Sequence, residues 1–221
     1  MVTIRHKTTG EVMLELPGDT LVGLVLVAAK LPGANLAGLD LTGANLSSAD
    51  LRDADFTGAI CERINLSGCG LNNADFSYAV LCHADLTDAR LEGSDFTQAS
   101  LQHAIMRYCK LKGANLRGAN LSGADLSMAE LTADLTGANL QKADLRGADL
   151  HGADMRGANL NGANLKGATL TCAHLANARV RGMIDQHGKE HKDSQIEPPH
   201  KQRARMSKPV KPWWQFWAAG G

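Results

Sequence analysis

Asp and Asn recur every five residues through most of this 221-residue chain, and they are its most numerous groups able to act as acids, bases or metal ligands. Two carboxylates that met in a pocket could serve general acid and base catalysis. Their spacing is too regular for a catalytic pair, and it indicates a structural role instead. The chain also lacks a nucleophile elbow, a phosphate-binding loop, a zinc-binding HExxH motif and a dinucleotide fingerprint. The sequence therefore predicts no catalytic residues, no cofactor and no enzymatic activity.

Cysteine and histidine give no sign of a metal site. The five cysteines are Cys61, Cys69, Cys82, Cys109 and Cys172. Their number is odd and they form no CxxC pair, so neither a disulfide framework nor a zinc site is expected. His187, His191 and His200 are interpreted as solvated polar residues. The longest apolar stretch is too short to cross a membrane, and we expect a cytoplasmic protein.

The overall charge gives no reason to expect a polyanionic partner. The chain carries 23 Lys and Arg against 23 Asp and Glu. Direct nucleic-acid binding is therefore not expected, and any charged contact must come from a local cluster.

A five-residue repeat dominates the sequence. Triads of Ala, then Asn or Asp, then Leu, Phe or Met occur sixteen times. With the exception of Cys61, a large apolar residue occupies every fifth position from Leu31 to Leu131 and again from Leu135 to Val180. A period of five fits neither a helix nor a straight strand. It fits a coil in which Ala and Leu point inward, Asn or Asp points outward, and the next two residues turn a corner. Gly is frequent at the second corner residue, as turns require.

The phenylalanines indicate how many sides the coil has. Phe56, Phe76 and Phe96 are twenty residues apart, so four pentads per coil would stack them on one side. The sequence thus predicts an all-β, four-sided solenoid of nearly eight coils. One corner residue is missing at Leu131-Thr132-Ala133, and we interpret this as a tightened turn rather than a hinge.

The repeat from Leu31 to Val180 resembles that of the pentapeptide repeat family. The resemblance implies a right-handed quadrilateral β-helix. It also suggests two kinds of function, because some members are rods that bind type II topoisomerases as DNA mimics and others resemble adaptors. A protein partner is expected on either reading, and the oligomeric state is left open.

Three regions are predicted: a cap at 1–30, the β-helix at 31–181 and a flexible basic tail at 182–221. In the cap, alternating residues from Val2 to Leu16 indicate a β-hairpin. Asp19 or Thr20 could begin a short helix that reaches Ala28 or Ala29. Leu21 and Leu26 also lie in phase with the repeat, so a degenerate first coil is the alternative to the helix.

The strongest candidates for a contact site are departures from the repeat. Ile60 and Val80 replace the outward Asn or Asp, with Tyr78 at the adjoining corner, while Arg90 and Lys110 form a basic pair on a different face. Exposed apolar patches often mark contact sites. We interpret these five residues as one contact patch, with tolerated decay of the repeat as the alternative.

Acidic residues recur on the side that carries the phenylalanines. They are Asp55, Asp75, Asp95 and, if the phase survives the missing residue, Asp134 and Asp154. Mimicry of DNA needs a strong and sustained negative field. Residues 31–181 carry 16 acidic against 13 basic residues, so the mimic is the second hypothesis.

The C-terminal tail ends in a cluster of aromatic rings, namely Trp213, Trp214, Phe216 and Trp217. The cluster could cap the last coil, or dock into a protein partner or a membrane interface. It could also have no role. The sequence as a whole favours a non-enzymatic bacterial scaffold for protein–protein interaction, with peripheral membrane association through the tail as a further alternative.

Overall fold

The computed structural model describes residues 1–192, in which five short strands and a long ladder of isolated bridges form a four-sided coil. The strands are β1 (Val2–His6), β2 (Val12–Leu16), β3 (Ala34–Asn35), β4 (Met183–Ile184) and β5 (Glu190–His191). No helix occurs among the described residues, so none of them forms a helix that could cross a membrane.

Each pentad places its outward middle residue in a parallel bridge with the residue four pentads later, as Asp55 does with Asp75. Successive pentads therefore occupy four faces in turn, and the bridged residues define the faces. Face 1 carries Asn35, Asp55, Asp75, Asp95, Asn115, Asp134, Asp154 and His174. Face 2 carries Asp40, Ile60, Val80, Ser100, Asn120, Asn139, Asn159 and Arg179. Face 3 carries Val25, Asn45, Asn65, Asp85, Ile105, Asp125, Asp144, Asn164 and Ile184. Face 4 carries Lys30, Asp50, Gly70, Arg90, Lys110, Glu130, Asp149 and Thr169.

Ala and Leu fill the interior, as the repeat predicts. Nearly all of them between Leu31 and Val180 are buried. Phe56, Phe76 and Phe96 are fully buried and stack, with ring centroids 4.5 and 4.9 Å apart. The spacing of twenty residues therefore corresponds to one coil.

The missing corner residue tightens one turn without breaking the stack. Lys110 forms its bridge with Glu130, twenty residues later, whereas Asn115 forms its bridge with Asp134, only nineteen residues later. Hydrogen bonds cross the tightened corner, from Gly113 N to Thr132 O at 2.8 Å and from Asp134 N to Ala114 O at 3.1 Å. The phase of face 1 survives, because Asp134 bridges both Asn115 and Asp154.

The predicted N-terminal helix is wrong, and its alternative describes the structure. β1 and β2 form an antiparallel hairpin, and β1 also pairs with β3. From Leu21 onward the chain is already a coil, with Val25 bridged to Asn45 and Lys30 bridged to Asp50. Coiling gives this segment hydrogen-bond partners in the second coil, such as Leu26 N to Asn45 O at 2.8 Å. A helix would leave those groups of the second coil without partners.

The prediction of a flexible tail from residue 182 is wrong for residues 182–192. β4 and β5 pair antiparallel and extend the last coil. Asp185 is 4% exposed and accepts hydrogen bonds from the backbone N–H groups of His187 and Lys189. His191 is 7% exposed and lies 2.9 Å from Asp185 Oδ2, so it is not the solvated residue that the sequence suggested. A buried polar pair of this kind is stable because each group has a partner.

Candidate interaction surfaces

The recurring Asp and Asn side chains are used by the fold itself. In most pentads the Oδ1 atom accepts a hydrogen bond from the backbone N–H two residues later, as Asp75 does from Ser77 at 2.9 Å and Asn120 from Ser122 at 3.2 Å. This is an Asx turn, in which the side chain replaces a backbone acceptor at the corner. The outward Asp and Asn are therefore corner-forming residues, which agrees with the structural role read from their spacing.

Ile60 and Val80 lack this function and lie next to each other on face 2, where a parallel bridge joins them. Ile60 is 41% exposed and Val80 is half-buried. Tyr78 lies at the corner between faces 1 and 2, is 64% exposed and has a φ of 60°. This left-handed conformation costs energy for a residue other than Gly. We call Ile60, Tyr78 and Val80 the apolar patch.

Arg90 and Lys110 are bridged to each other on face 4, which is opposite face 2 in the four-sided coil. Both are exposed, and neither forms an ion pair within residues 1–192. The prediction of a single contact patch is therefore wrong, because the rod separates the basic pair from the apolar patch. The step of ten positions from Val80 to Arg90 amounts to half a coil.

The acidic residues of face 1 fall into two groups. Asp55, Asp75 and Asp95 form one column with no ion pair among the described residues. Asp134 pairs with Arg117 at 3.0 Å, and Asp154 pairs with Arg156 at 2.6 Å. The hydrogen bond from the Arg156 guanidinium is the main reason that the pKa of Asp154 lies below its usual value. On face 1, the carboxylates that have no ion pair within residues 1–192 thus lie in three successive coils.

Sequence reasoning missed two exposed residues at the corner between faces 3 and 4. Tyr108 and Met128 are each more than half exposed and are twenty residues apart, so they stack at this corner. Both have positive φ, like Tyr78. The sequence alone could have identified Tyr108 and Met128, because each stands at the second corner position, where Gly is usual.

The described part of the chain holds neither a metal site nor the aromatic cluster of the tail. Residues 1–192 contain no group of three or more His, Cys, Asp and Glu side chains arranged to hold a metal ion. The predicted contact residues Trp213, Trp214, Phe216 and Trp217 lie outside the described residues.

Comparison with known proteins identifies the repeat. The sequence model described as Pentapeptide repeats matches eight copies, over residues 21–58, 59–98, 94–132, 133–167 and 148–182. A search of curated proteins found no significant match.

Solved structures with the same architecture are also similar. HetL, a pentapeptide repeat protein involved in heterocyst differentiation regulation in the cyanobacterium Nostoc sp. strain PCC 7120, is 31% identical, with 76% of this chain and 92% of HetL covered and a TM-score of 0.52. QnrB1, a plasmid-mediated fluoroquinolone resistance protein, is 20% identical, with 83% and 95% covered and a TM-score of 0.58, and this likeness concerns the fold alone. The family match covers most of the described chain, and its members are generally structural or interaction proteins. The chain belongs to the pentapeptide repeat family, whose right-handed quadrilateral β-helix it adopts.

Proposed function

We propose that this protein is a rigid, non-enzymatic scaffold that binds a partner protein through the apolar patch. One observation carries the proposal: Ile60 and Val80 are stacked on face 2 in place of the Asn or Asp that would form an Asx turn. Their positions give up a stabilising hydrogen bond and expose apolar surface to water. Tyr78 adds an exposed ring beside them, a residue type that is common at binding hot spots.

A pull-down from a bacterial lysate, with mass spectrometry of the bound proteins, tests the proposal. The full-length chain is compared with Ile60→Asp/Val80→Asp. Asn45→Asp/Asn65→Asp is the matched control, because it adds the same two charges to face 3 while Asp can still form each Asx turn. We expect a partner that is lost with the face 2 variant and kept with the control. Partners that are equally retained by all three proteins would refute the role of the apolar patch.

A second candidate function is binding to a type II topoisomerase by mimicry of DNA. The column of Asp55, Asp75 and Asp95, which has no ion pair within residues 1–192, favours it, whereas Arg117 and Arg156 neutralise carboxylates of the following coils. A DNA supercoiling assay with purified gyrase tests it. Inhibition that disappears in Asp55→Asn/Asp75→Asn/Asp95→Asn would support the mimic, and absence of inhibition would exclude gyrase as a target.

A third candidate is peripheral membrane contact of a cytoplasmic protein through the aromatic cluster of the tail. Aromatic and basic residues favour the interface of an anionic bilayer. Sedimentation with anionic liposomes, compared with a chain that lacks residues 208–221, tests it. Binding that survives the deletion would exclude the tail as the anchor.

A further inference from the structure

Face 2 is the one face of the described rod that has a long run of rungs without charge. Its six successive rungs from Ile60 to Asn159 carry no charged residue, and Asp40 and Arg179 bound them. We call these six residues the uncharged strip: Ile60, Val80, Ser100, Asn120, Asn139 and Asn159. On each of the other faces, charged residues interrupt the same stretch of the rod.

The C-terminal half of the strip, from Asn120 to Asn159, is an amide ladder whose side chains hydrogen-bond to one another. Asn139 Nδ2 donates to Asn120 Oδ1 at 3.1 Å, and Asn159 Nδ2 donates to Asn139 Oδ1 at 3.1 Å. These amides already have hydrogen bonds within the rod, so covering them breaks fewer contacts with water than covering free amides would. The N-terminal half consists of the apolar pair Ile60 and Val80, followed by Ser100.

The cations at the corner between faces 1 and 2 are directed away from the strip. Arg117 and Arg156 both pair with carboxylates of face 1. The other corner carries Glu62 and Arg63 beside Ile60 and Lys142 beside Asn139. Beside Val80 at that corner, His83 stacks on His103 with ring centroids 5.2 Å apart. The rungs between these two corners are uncharged, and such a strip suits a partner strip that is uncharged as well.

We infer that the strip binds a second copy of this chain, with the two rods side by side, parallel, and related by a twofold axis along their length. This inference rests on the proposed function, since it names the occupant of the apolar patch. With a twofold axis along the rods, each rung meets its own copy, so a charged rung would repel itself; the rungs of face 2 from Ile60 to Asn159 carry no charge. Two packed sheets lie about 10 Å apart, which leaves room for the side chains of both strips.

The parallel arrangement follows from the two halves of the strip. It places Ile60 and Val80 of one copy against the same residues of the other, and the amide ladder against the amide ladder. An antiparallel arrangement that used the whole strip would set apolar side chains against amides. The twofold axis also brings opposite corners together, so Tyr78 of one copy lies at the height of His83 of the other.

The size of the strip predicts a weak dimer. Five steps of about 4.8 Å give a length of roughly 24 Å, and one pentad is at most about 16 Å wide. Each copy then contributes roughly 400 Å², half of the about 800 Å² of a standard interface. We expect a dissociation constant in the micromolar range or weaker.

Sedimentation equilibrium of the full-length chain over a series of concentrations tests the inference. Asn120→Asp introduces two like charges that face each other in the dimer, while Asn65→Asp adds the same charge to face 3. Both substitutions preserve an acceptor for the Asx turn, whose bonds are 3.2 and 3.0 Å in the parent chain. We expect Asn120→Asp to weaken dimerisation about tenfold or more, as two charges about 10 Å apart at a protein surface should, and Asn65→Asp to leave it unchanged.

A chain that stays monomeric at all concentrations would overturn the inference, as would equal effects of the two substitutions. Cross-linking of Asn159→Cys with a bismaleimide that spans about 10 Å tests the arrangement, because only parallel rods bring this end of the strip against its own copy at that distance; the parent chain is the control for native cysteines. A cross-linked dimer above that background supports parallel rods, and a dimer without the cross-link overturns them. If the chain is monomeric but a lysate partner is lost with Ile60→Asp/Val80→Asp, the proposed function stands and only the second copy is excluded.

Discussion

Replacement of Phe76 tests the packing of the rod at its centre. Phe76 is fully buried and lies between two rings, with Phe56 at 4.5 Å and Phe96 at 4.9 Å. Phe96 has one ring neighbour in this stack, because Leu116 occupies the same interior position in the next coil. The two phenylalanines therefore differ mainly by one aromatic contact.

The structure sets the size of the expected effects. Truncation of a buried Phe to Ala costs about 3 to 5 kcal/mol, and we expect Phe76→Ala to lie in that range. An aromatic contact contributes about 0.5 to 1.5 kcal/mol beyond buried area. Phe76→Leu should consequently be about 1 kcal/mol more destabilising than Phe96→Leu. Asp75→Asn is the outward control, and it should change stability by less than about 0.5 kcal/mol because Asn keeps the Asx turn.

Urea unfolding followed by far-ultraviolet circular dichroism measures these differences. Phe76→Asp should unfold several coils, since each coil of a solenoid depends on its neighbours. If Phe76→Asp and Asp75→Asn were equally tolerated, the assignment of inward and outward positions would be wrong. Equal losses for Phe76→Leu and Phe96→Leu would refute the energetic role of the ring stack.

Three further predictions concern a corner, the C-terminal hairpin and the cysteines. Gly123→Ala should be about 1 kcal/mol more destabilising than Gly113→Ala in urea unfolding. A Cβ at Gly123 would meet His103 Nδ1 at 2.6 Å and move that ring off His83, whereas a Cβ at Gly113 would meet nothing within 4 Å. Equal losses of stability would exclude the clash. Burial opposes ionisation of Asp185, but hydrogen bonds from the Lys189 backbone, the His191 ring and the His187 backbone outweigh it and lower the pKa of Asp185. The stabilising effect of the Asp185 carboxylate is therefore present above the unfolded pKa of about 4 and is lost as the pH falls through the lower folded pKa. Thermal melts of Asp185→Asn should consequently show less destabilisation by acid than those of the parent chain. Identical pH profiles of the two proteins would contradict this. Burial raises the pKa of Cys61 and Cys109 to about 12, while Cys172 is exposed. A thiol reagent at neutral pH should therefore modify Cys172 first and reach the other two only on unfolding. Mass spectrometry of the modified peptides decides the order.

Most of the rod follows from the sequence because its contacts repeat. Phe56, Phe76 and Phe96 revealed the length of a coil, and the same arithmetic placed Ile60 beside Val80 and Arg90 beside Lys110. The positions of Tyr108 and Met128 could be read in the same way, from bulky residues where Gly is usual. These predictions succeed because each residue meets the one a fixed number of positions away.

The ends of the rod could not be read in this way. Residues from Leu21 to Ala29 carry both helix signals and the phase of the repeat, and hydrogen bonds to the second coil decide between them. Asp185 and His191 are six residues apart outside the repeat, and no sequence pattern pairs them. Both outcomes depend on which backbone groups the neighbouring coil leaves available.

The sequence by itself determined the period, the inward and outward positions and the number of sides, because these are local and are repeated in every coil. The tertiary structure decided how the two ends are closed and which carboxylates are neutralised by arginine. The ends depend on backbone groups with no periodic partner, and the ion pairs depend on the direction that a long side chain takes from its corner. Those are properties of the assembled coil rather than of any single pentad.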